Sequence, residues 1–207
     1  MARDPKQVLV YHITHVDNLP SILKDGGLQS DAVMAARDPT LIGYSEIKKR
    51  RLNEINVSCC LFHNVGDFVP FYFCPRSPML FSINKGNTGH PPGCQRSILH
   101  LVSTVAEGIA VGNSWAISSG NAGAYHTTFE ADLQALDSLD WGAIRATDWQ
   151  GKQHQKMAEF LVQDFFPWDA IKQIGCFNSA IATKVAELLK KQKHQPSVEV
   201  KNSWYYL

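Results

Sequence analysis

The sequence predicts an α+β domain of many short strands and a few helices, and three stretches carry that prediction. Residues 7–13, QVLVYHI, are apolar and β-branched, as a strand requires. Residues 54–118 break into short apolar runs, several of them separated by Gly-, Pro- and Asn-containing turns, the texture of a sheet with tight connections. Residues 178–192, NSAIATKVAELLKKQ, put Ile181, Val185, Leu188 and Leu189 on one side at helical spacing, and lysines gather at the end, where the helix dipole favours them.

Along the first strand Val8, Val10 and His12 share one face and Leu9, Tyr11 and Ile13 the other. Asp17 is placed to cap a short helix, with Pro20 in its first turn and Leu19, Ile22 and Leu23 as its apolar stripe. Gly26-Gly27 stops it, since glycine takes the left-handed conformation of a helix C-cap. Residues 45–53, SEIKKRRLN, read as a second, very polar helix. Strands are expected in INVSCCLF, FVPFYF, MLFSI, SILHLVS and SWAIS, with RSP, NKGNTGHPPG and AEGIAVGN as turns. Residues 121–140 read as helix, including FEADLQALDSL. After a loop around DWGAIRATDWQ, KMAEFLVQDFF has a strand-like core on which Phe160 and Val162 face away from Glu159 and Leu161. SVEVKNSWYYL closes the chain as a last strand. No repeat or linker divides the 207 residues, so residues 1–207 are expected to form a single domain.

Hydrophobic residues at 44% and charged residues at 19% are globular, not disordered, proportions. A formal net charge of +1 provides no polybasic coat for duplex DNA, so any nucleic-acid contact has to come from local patches. The run IKKRR at residues 47–51 is one, although composition alone reads it as a solvated helix face. No apolar run approaches membrane-spanning length, and the N-terminus lacks the apolar stretch of a secretory signal. The five cysteines are odd in number, two are adjacent and none forms a C-x-x-C, which suggests neither a disulfide framework nor a zinc site. A reduced, cytoplasmic setting without metal or membrane is expected.

One join concentrates polar groups. YHITHVDNLP, residues 11–20, crowds two histidines, a threonine and an asparagine where strand gives way to helix. YHIT resembles the Tyr-His-x-Thr element on the first core strand of diphtheria-toxin-type ADP-ribosyltransferases. Taken in order, YHITHVDNLPSILKDGGL, KKRR, DFVPFYFCPRSPML, SSGNAGAYHTTF and KMAEFLV resemble the DarT family, toxins that transfer ADP-ribose from NAD+ onto bases of DNA. The likeness spans roughly residues 8–165 plus the closing WYYL. It implies an ADP-ribosyltransferase-like fold, a central core of short strands flanked by helices. It implies NAD+ as co-substrate, single-stranded DNA as acceptor with thymine the expected base, and a macrodomain antitoxin that removes the modification. Ser118-Ser119 depart from the Thr-Asp pair expected before GNA, which bears on base selectivity.

The resemblance also implies roles for residues. The end of the first strand would hold the nicotinamide end of NAD+, with backbone groups around Ile13 on the carboxamide. His12 would bind the adenosine-side ribose or orient the cofactor, and Thr14 and Asn18 would add hydrogen bonds at the corner. Tyr72 would stack on nicotinamide with Met79 nearby. The plain alternatives are a core histidine satisfied by backbone, and aromatics that fill a core at Phe71 and Phe73.

NAD+ carries a positively charged leaving group on a ribose carbon, so cleavage passes through an oxocarbenium-like state. A carboxylate beside the ribose stabilises that charge. Glu159, at the head of an apolar strand, is the candidate; an acid there is costly unless it opens to a cleft or is paired. A ring nitrogen of a base must lose a proton as it attacks, and Glu159 is placed to accept it. Arg51 matches the family's catalytic arginine, where a bidentate guanidinium would bind NAD+ phosphates and organise the base; it stays protonated and is no base itself. Ser118, Gly120, Asn121 and Ala122 form a turn of small residues that lets a nucleic-acid backbone come close. Tyr125, His126, Trp149 and Lys156 would supply stacking and phosphate contacts. Residues 140–155 occupy the place of a target-recognition loop. A base attacked at a pairing nitrogen must be unstacked, which makes single-stranded DNA the economical substrate.

Two other readings compete. An RNA 2′-phosphotransferase-like enzyme also uses NAD+, but would want several arginines and a histidine around a phosphate rather than a late glutamate. A non-catalytic nucleic-acid-binding module would not need His12, Arg51 and Glu159 together. Transfer to protein arginine is disfavoured, because Met157 stands two residues before Glu159 in place of Glu or Gln.

Overall fold

The computed structural model describes residues 4–35, 37 and 45–206. In chain order the elements are β1 (Leu9–His15), α1 (Leu19–Asp25), β2 (Gly27–Gln29), α2 (Asp31–Met34), α3 (Ser45–Asn53), β3 (Phe68–Tyr72), α4 (Pro78–Lys85), β4 (Ile98–Thr104) and α5 (Val105–Ala110). There follow β5 (Trp115–Asn121), β6 (Phe129–Glu130), α6 (Ala135–Ser138), α7 (Trp141–Arg145), α8 (Gln153–Lys156), β7 (Ala158–Gln163), β8 (Phe165–Pro167), β9 (Gln173–Cys176), α9 (Ser179–Leu189) and β10 (Ser197–Val200). Eight strands form one sheet in the order β10-β9-β4-β1-β3-β7-β5-β6, and β2 pairs with β8 in a separate ribbon. Among the described residues no helix is long and apolar enough to cross a membrane.

The sheet has a weak seam. β1 pairs with β4 along its whole length, from Leu9–Thr104 to His15–Ile98. With β3 it shares one residue pair, Tyr11–Tyr72. β3 in turn pairs with β7 from Phe68–Gln163 to Tyr72–Glu159. Two well-knit halves therefore meet at one ladder pair, with the His12 ring of β1 reaching the Pro70 carbonyl of β3 close by. Alternation sorts the core as expected: Phe160 and Val162 enter the large cluster with Phe71 and Leu101, while Leu161 enters a second with Ile55, Val65 and Phe68. A third cluster gathers Ile13, Leu80, Ile83, Ile98, Tyr205 and Tyr206, with Tyr72, Met79 and Phe81 packed against it.

Several expected elements change type. MLFSI is helix, not strand: Ser77 accepts from Leu80 N at 3.2 Å as N-cap, Pro78 opens the first turn, and Gly86 ends it at φ 78°. AEGIAVGN is largely α5, capped by Thr104. INVSCCLF is no strand; Val57 N–H donates to the His63 carbonyl and the chain turns back through Leu61 and Phe62, both with positive φ (53° and 59°). Residues 121–140 hold only the four-residue α6, because Phe129 and Glu130 pair with Ser118 and Ile117 of β5. The tail holds β10, parallel to β9, and then a short 3-10 turn rather than one long strand; the final residue of WYYL, Leu207, lies outside the described residues. Asp17 does not cap α1; its carboxylate pairs with Lys184 at 2.7 Å. Gly26 ends α1 at φ 76°, as expected of a left-handed cap.

Candidate active site

Glu159 is 1% exposed at the head of β7, directly beside Tyr72 of β3. On its other side β5 slips register between Ile117 and Asn121. The Ser118 hydroxyl fills that irregularity: it accepts from Glu159 N at 2.8 Å and lies 2.6 Å from the Gly120 carbonyl, to which it donates. A local bulge of this kind bends the strand and re-aims its neighbour's side chain. The carboxylate then meets Arg51, carried inward from the last turn of α3. The two terminal guanidinium nitrogens donate to Oε1 and Oε2, each at 2.9 Å, and Ala122 N donates to Oε1 at 3.2 Å. A buried carboxylate is tolerated only when met in this way. Burial alone would lower the Arg51 pKa, but the charge and hydrogen bonds of Glu159 outweigh it and hold it above the ordinary value. Tyr72 beside the pair is raised, first by burial and then by the Glu159 charge, so it stays a neutral phenol.

The expected NAD+ corner is brought together at the seam. His12 Nδ1 lies 2.9 Å from the Pro70 carbonyl on β3. A carbonyl only accepts, so Nδ1 carries the proton and Nε2 is left as the acceptor. Burial lowers the His12 pKa, which keeps the ring neutral. The plain reading of His12 as a histidine bonded to backbone describes this nitrogen; the other is what a ribose hydroxyl needs. Asn18 Nδ2 donates to Thr14 Oγ1 at 3.2 Å, closing the strand-to-helix corner. Ile13, Tyr72 and Met79 meet around the third cluster.

The expected contact of Arg51 with phosphate is not what the fork makes here, because both of its ends lie on Glu159. On the acceptor side three of the expected residues are engaged within the protein. Lys156 is 2% exposed, and its ammonium donates to the carbonyls of Ile144 and Ala146 at 2.8 Å each, which ties down the preceding loop. Ser118 and Ala122 are fully buried, and their polar groups support Glu159 rather than DNA. Gly120 does allow a close approach, but by protein: a Cβ there would run into the His154 ring. Asn121 Oδ1 accepts from Gly123 N at 2.9 Å and shapes the turn. Tyr125 is exposed, its hydroxyl bonded to Glu54 and its ring 5.5 Å from the Arg50 guanidinium. His126 stacks on His154 at 4.2 Å between ring centroids. Trp149 packs edge-on against Phe81 at 5.4 Å.

Sequence reasoning missed the Asp31–Lys48 ion pair at 2.9 Å, whose two charges act on His12, because Lys48 reads locally as one of a run of solvated cations. It also missed Arg76, Phe81 and Tyr206, which come together from three distant segments. Among the described residues no group of three or more metal-ligating side chains occurs.

Comparison with known proteins matches this geometry to a family. A family described as "ssDNA thymidine ADP-ribosyltransferase, DarT" matches residues 11–206. A DNA ADP-ribosyl transferase of Thermus aquaticus is 39% identical over 98% of this chain and 90% of its own length. One from Thermus sp. 2.9 is 36% identical over 98% of each. The solved structure of Thermus sp. 2.9 DarT in complex with ADP-ribosylated ssDNA superposes with a TM-score of 0.89 at 36% identity, covering 100% of both chains. The same protein in complex with NAD+ gives 0.86 at 34%. The fold is therefore that of the ADP-ribosyltransferases, and the chain belongs to the DarT family.

Proposed function

We propose that this protein transfers the ADP-ribose of NAD+ to thymine in single-stranded DNA, releasing nicotinamide, as the toxin of a toxin–antitoxin pair. The observation that carries the reading is the buried carboxylate of Glu159, gripped through both oxygens by Arg51 beside the seam where β1 and β3 part. NAD+ seated at that seam would set its nicotinamide ribose near Glu159, with the His12 Nε2 acceptor on a ribose hydroxyl and Tyr72 and Met79 along the nicotinamide ring. As the ribose–nicotinamide bond breaks, its electron pair neutralises the nicotinamide ring, and positive charge passes to the sugar. The carboxylate is complementary to that charge and not to the ground state, which is how it accelerates the step. The base nitrogen forms the new bond to the same carbon and its proton leaves to the carboxylate. Arg51 acts by positioning: it keeps the Glu159 carboxylate aimed until the ribose arrives.

A DNA acceptor fits a cytoplasmic setting, and the partner implied is a macrodomain that hydrolyses the product. The test is labelled NAD+ incubated separately with single-stranded DNA, duplex DNA, RNA and protein. Label on thymine-containing single strands alone is expected, reversible by a macrodomain hydrolase. Label on RNA phosphate ends would favour the phosphotransferase-like alternative, and NAD+ left unconsumed would favour the non-catalytic one.

A further inference from the structure

Two cysteines touch outside the active site. Cys59 and Cys60 are neighbours in the chain, and their Sγ atoms lie 3.9 Å apart. Adjacent side chains of an extended backbone point to opposite faces, so a turn has to build this contact. Cys60 N donates to the Val57 carbonyl at 3.0 Å, His63 N to the Cys60 carbonyl at 3.1 Å and Val57 N to the His63 carbonyl at 2.8 Å. Leu61 and Phe62 close the turn in the left-handed region that side chains of their size avoid, and Asn56 Nδ2 donates to the Phe62 carbonyl at 3.0 Å. The two thiols face different surroundings. Cys59 is exposed, whereas Cys60 is 5% exposed and donates to the Trp115 carbonyl at 3.4 Å. Burial raises both thiols, Cys60 to about 12, so exchange starts at the accessible Cys59 and is slow.

We propose that Cys59 and Cys60 form a reversible thiol–disulfide site that reacts with small disulfides, and that its closure slows transfer at Glu159. The Cys59 thiolate attacks one sulfur of a small disulfide such as oxidised glutathione, and one small thiol leaves. Cys60 then attacks the Cys59 sulfur of the mixed disulfide, the second small thiol leaves, and the Cys59–Cys60 bond forms. The cysteine pair gives up two electrons, the small disulfide takes them, and both thiol protons leave on the released thiols. A trans peptide sets adjacent Cα atoms about 3.8 Å apart, below the roughly 4.4–6.8 Å of relaxed disulfides, so this ring is strained and easily reduced. Bonds of that kind are the labile ones, closed when the surrounding thiol pool oxidises and reopened when it recovers. Closure removes the proton that Cys60 donates to the Trp115 carbonyl at the start of β5, the strand whose register slips ahead of Asn121. Cys60 also shares a buried cluster with Ala122 and Leu161. Ala122 N donates to Glu159 Oε1, and Leu161 lies two residues beyond Glu159 on β7. A close-packed interior passes such a shift on to its neighbours. The effect on transfer rests on the functional reading above; the ring itself does not.

The test treats the full chain with excess oxidised glutathione and reads mass, amide hydrogen exchange and transfer. The intact mass should fall by two hydrogens, peptide mapping should place the bond between Cys59 and Cys60, and dithiothreitol should reverse it. Exchange across residues 115–124 should quicken, and transfer to a thymine-containing single strand should slow about 5- to 100-fold, the scale of a small misplacement at a reacting centre. The exposed Cys59→Ser should match the unsubstituted protein in activity and ignore the treatment. Cys60→Ala should stop at a glutathione adduct on Cys59, because no neighbouring thiol displaces it. A pair that stays reduced, or a lasting adduct on Cys59 of the unsubstituted protein, overturns the proposal. So does a closed ring that leaves exchange and transfer unchanged, or Cys59→Ser slowed as much as the unsubstituted protein, which assigns the effect to another cysteine. Absence of label from the untreated chain overturns the functional reading alone, since mass and exchange still decide the cysteine pair.

Discussion

Removing either member of the Arg51–Glu159 pair leaves a buried charge without its counter-ion, and removing both does not. Two 2.9 Å bonds join groups of which Glu159 is 1% and Arg51 9% exposed. Breaking such a pair from one side costs about 3–5 kcal/mol. Arg51→Met and Glu159→Gln should each lose about that much in urea unfolding. The double variant should lose clearly less than the sum, because neither charge then remains buried. Turnover follows a different logic. Glu159→Gln keeps the shape and loses the charge, so transfer to a single-stranded oligonucleotide should fall about 10²–10³-fold while NAD+ affinity changes little. Arg51→Met removes the fork that aims the carboxylate, so its rate should fall by a similar factor, and the double variant should be no slower than Glu159→Gln alone. Urea midpoints, single-turnover transfer and calorimetry of NAD+ on the four proteins decide the matter. Additive stability losses would refute the buried-pair argument. A folded Glu159→Gln that kept most of its turnover would remove the carboxylate from catalysis. NAD+ affinity falling with turnover in Arg51→Met would return the guanidinium to the phosphates.

Acid should weaken the fold through histidine. Burial holds His100 at about 4 against an ordinary 6.5, so between those values the unfolded chain binds a proton that the folded one refuses. Stability therefore falls as pH drops from about 6.5 to about 4, by up to about 3 kcal/mol from this group, with His12 shifted in the same direction; urea midpoints should show a shallower acid limb in His100→Asn. Lys156→Met should orphan two carbonyls at about 1–3 kcal/mol each and slacken the loop over residues 144–156. It should nevertheless leave the salt slope of DNA binding unchanged, where loss of a phosphate contact would reduce that slope by about 0.7. Gly120→Ala should push His154 aside and lower both stability and transfer, and His154→Ala on top of it should restore much of both.

What could be read from the chain were the places where a polar residue interrupts a regular apolar pattern. Glu159 breaks a period-2 strand and His12 breaks another, and each interruption has a chemical reason that survives without coordinates. The long amphipathic α9 was equally plain, since its stripe exceeds any turn signal around it. Short elements were not, because an apolar run of five fits either period: MLFSI became helix through Ser77 and Gly86 on its flanks, not through its own residues. Depth is the other blind spot. Lys156 and Lys48 look alike in sequence, yet one is buried on two carbonyls and the other is half-buried on Asp31. Arg51 and Glu159 lie 108 residues apart, and nothing local to either says that their charges meet. That pairing changes the chemistry assigned to both. A glutamate read alone has no fixed direction from which to face a cationic sugar. Fixed through both carboxylate oxygens by a guanidinium, it is held in one orientation beside Tyr72.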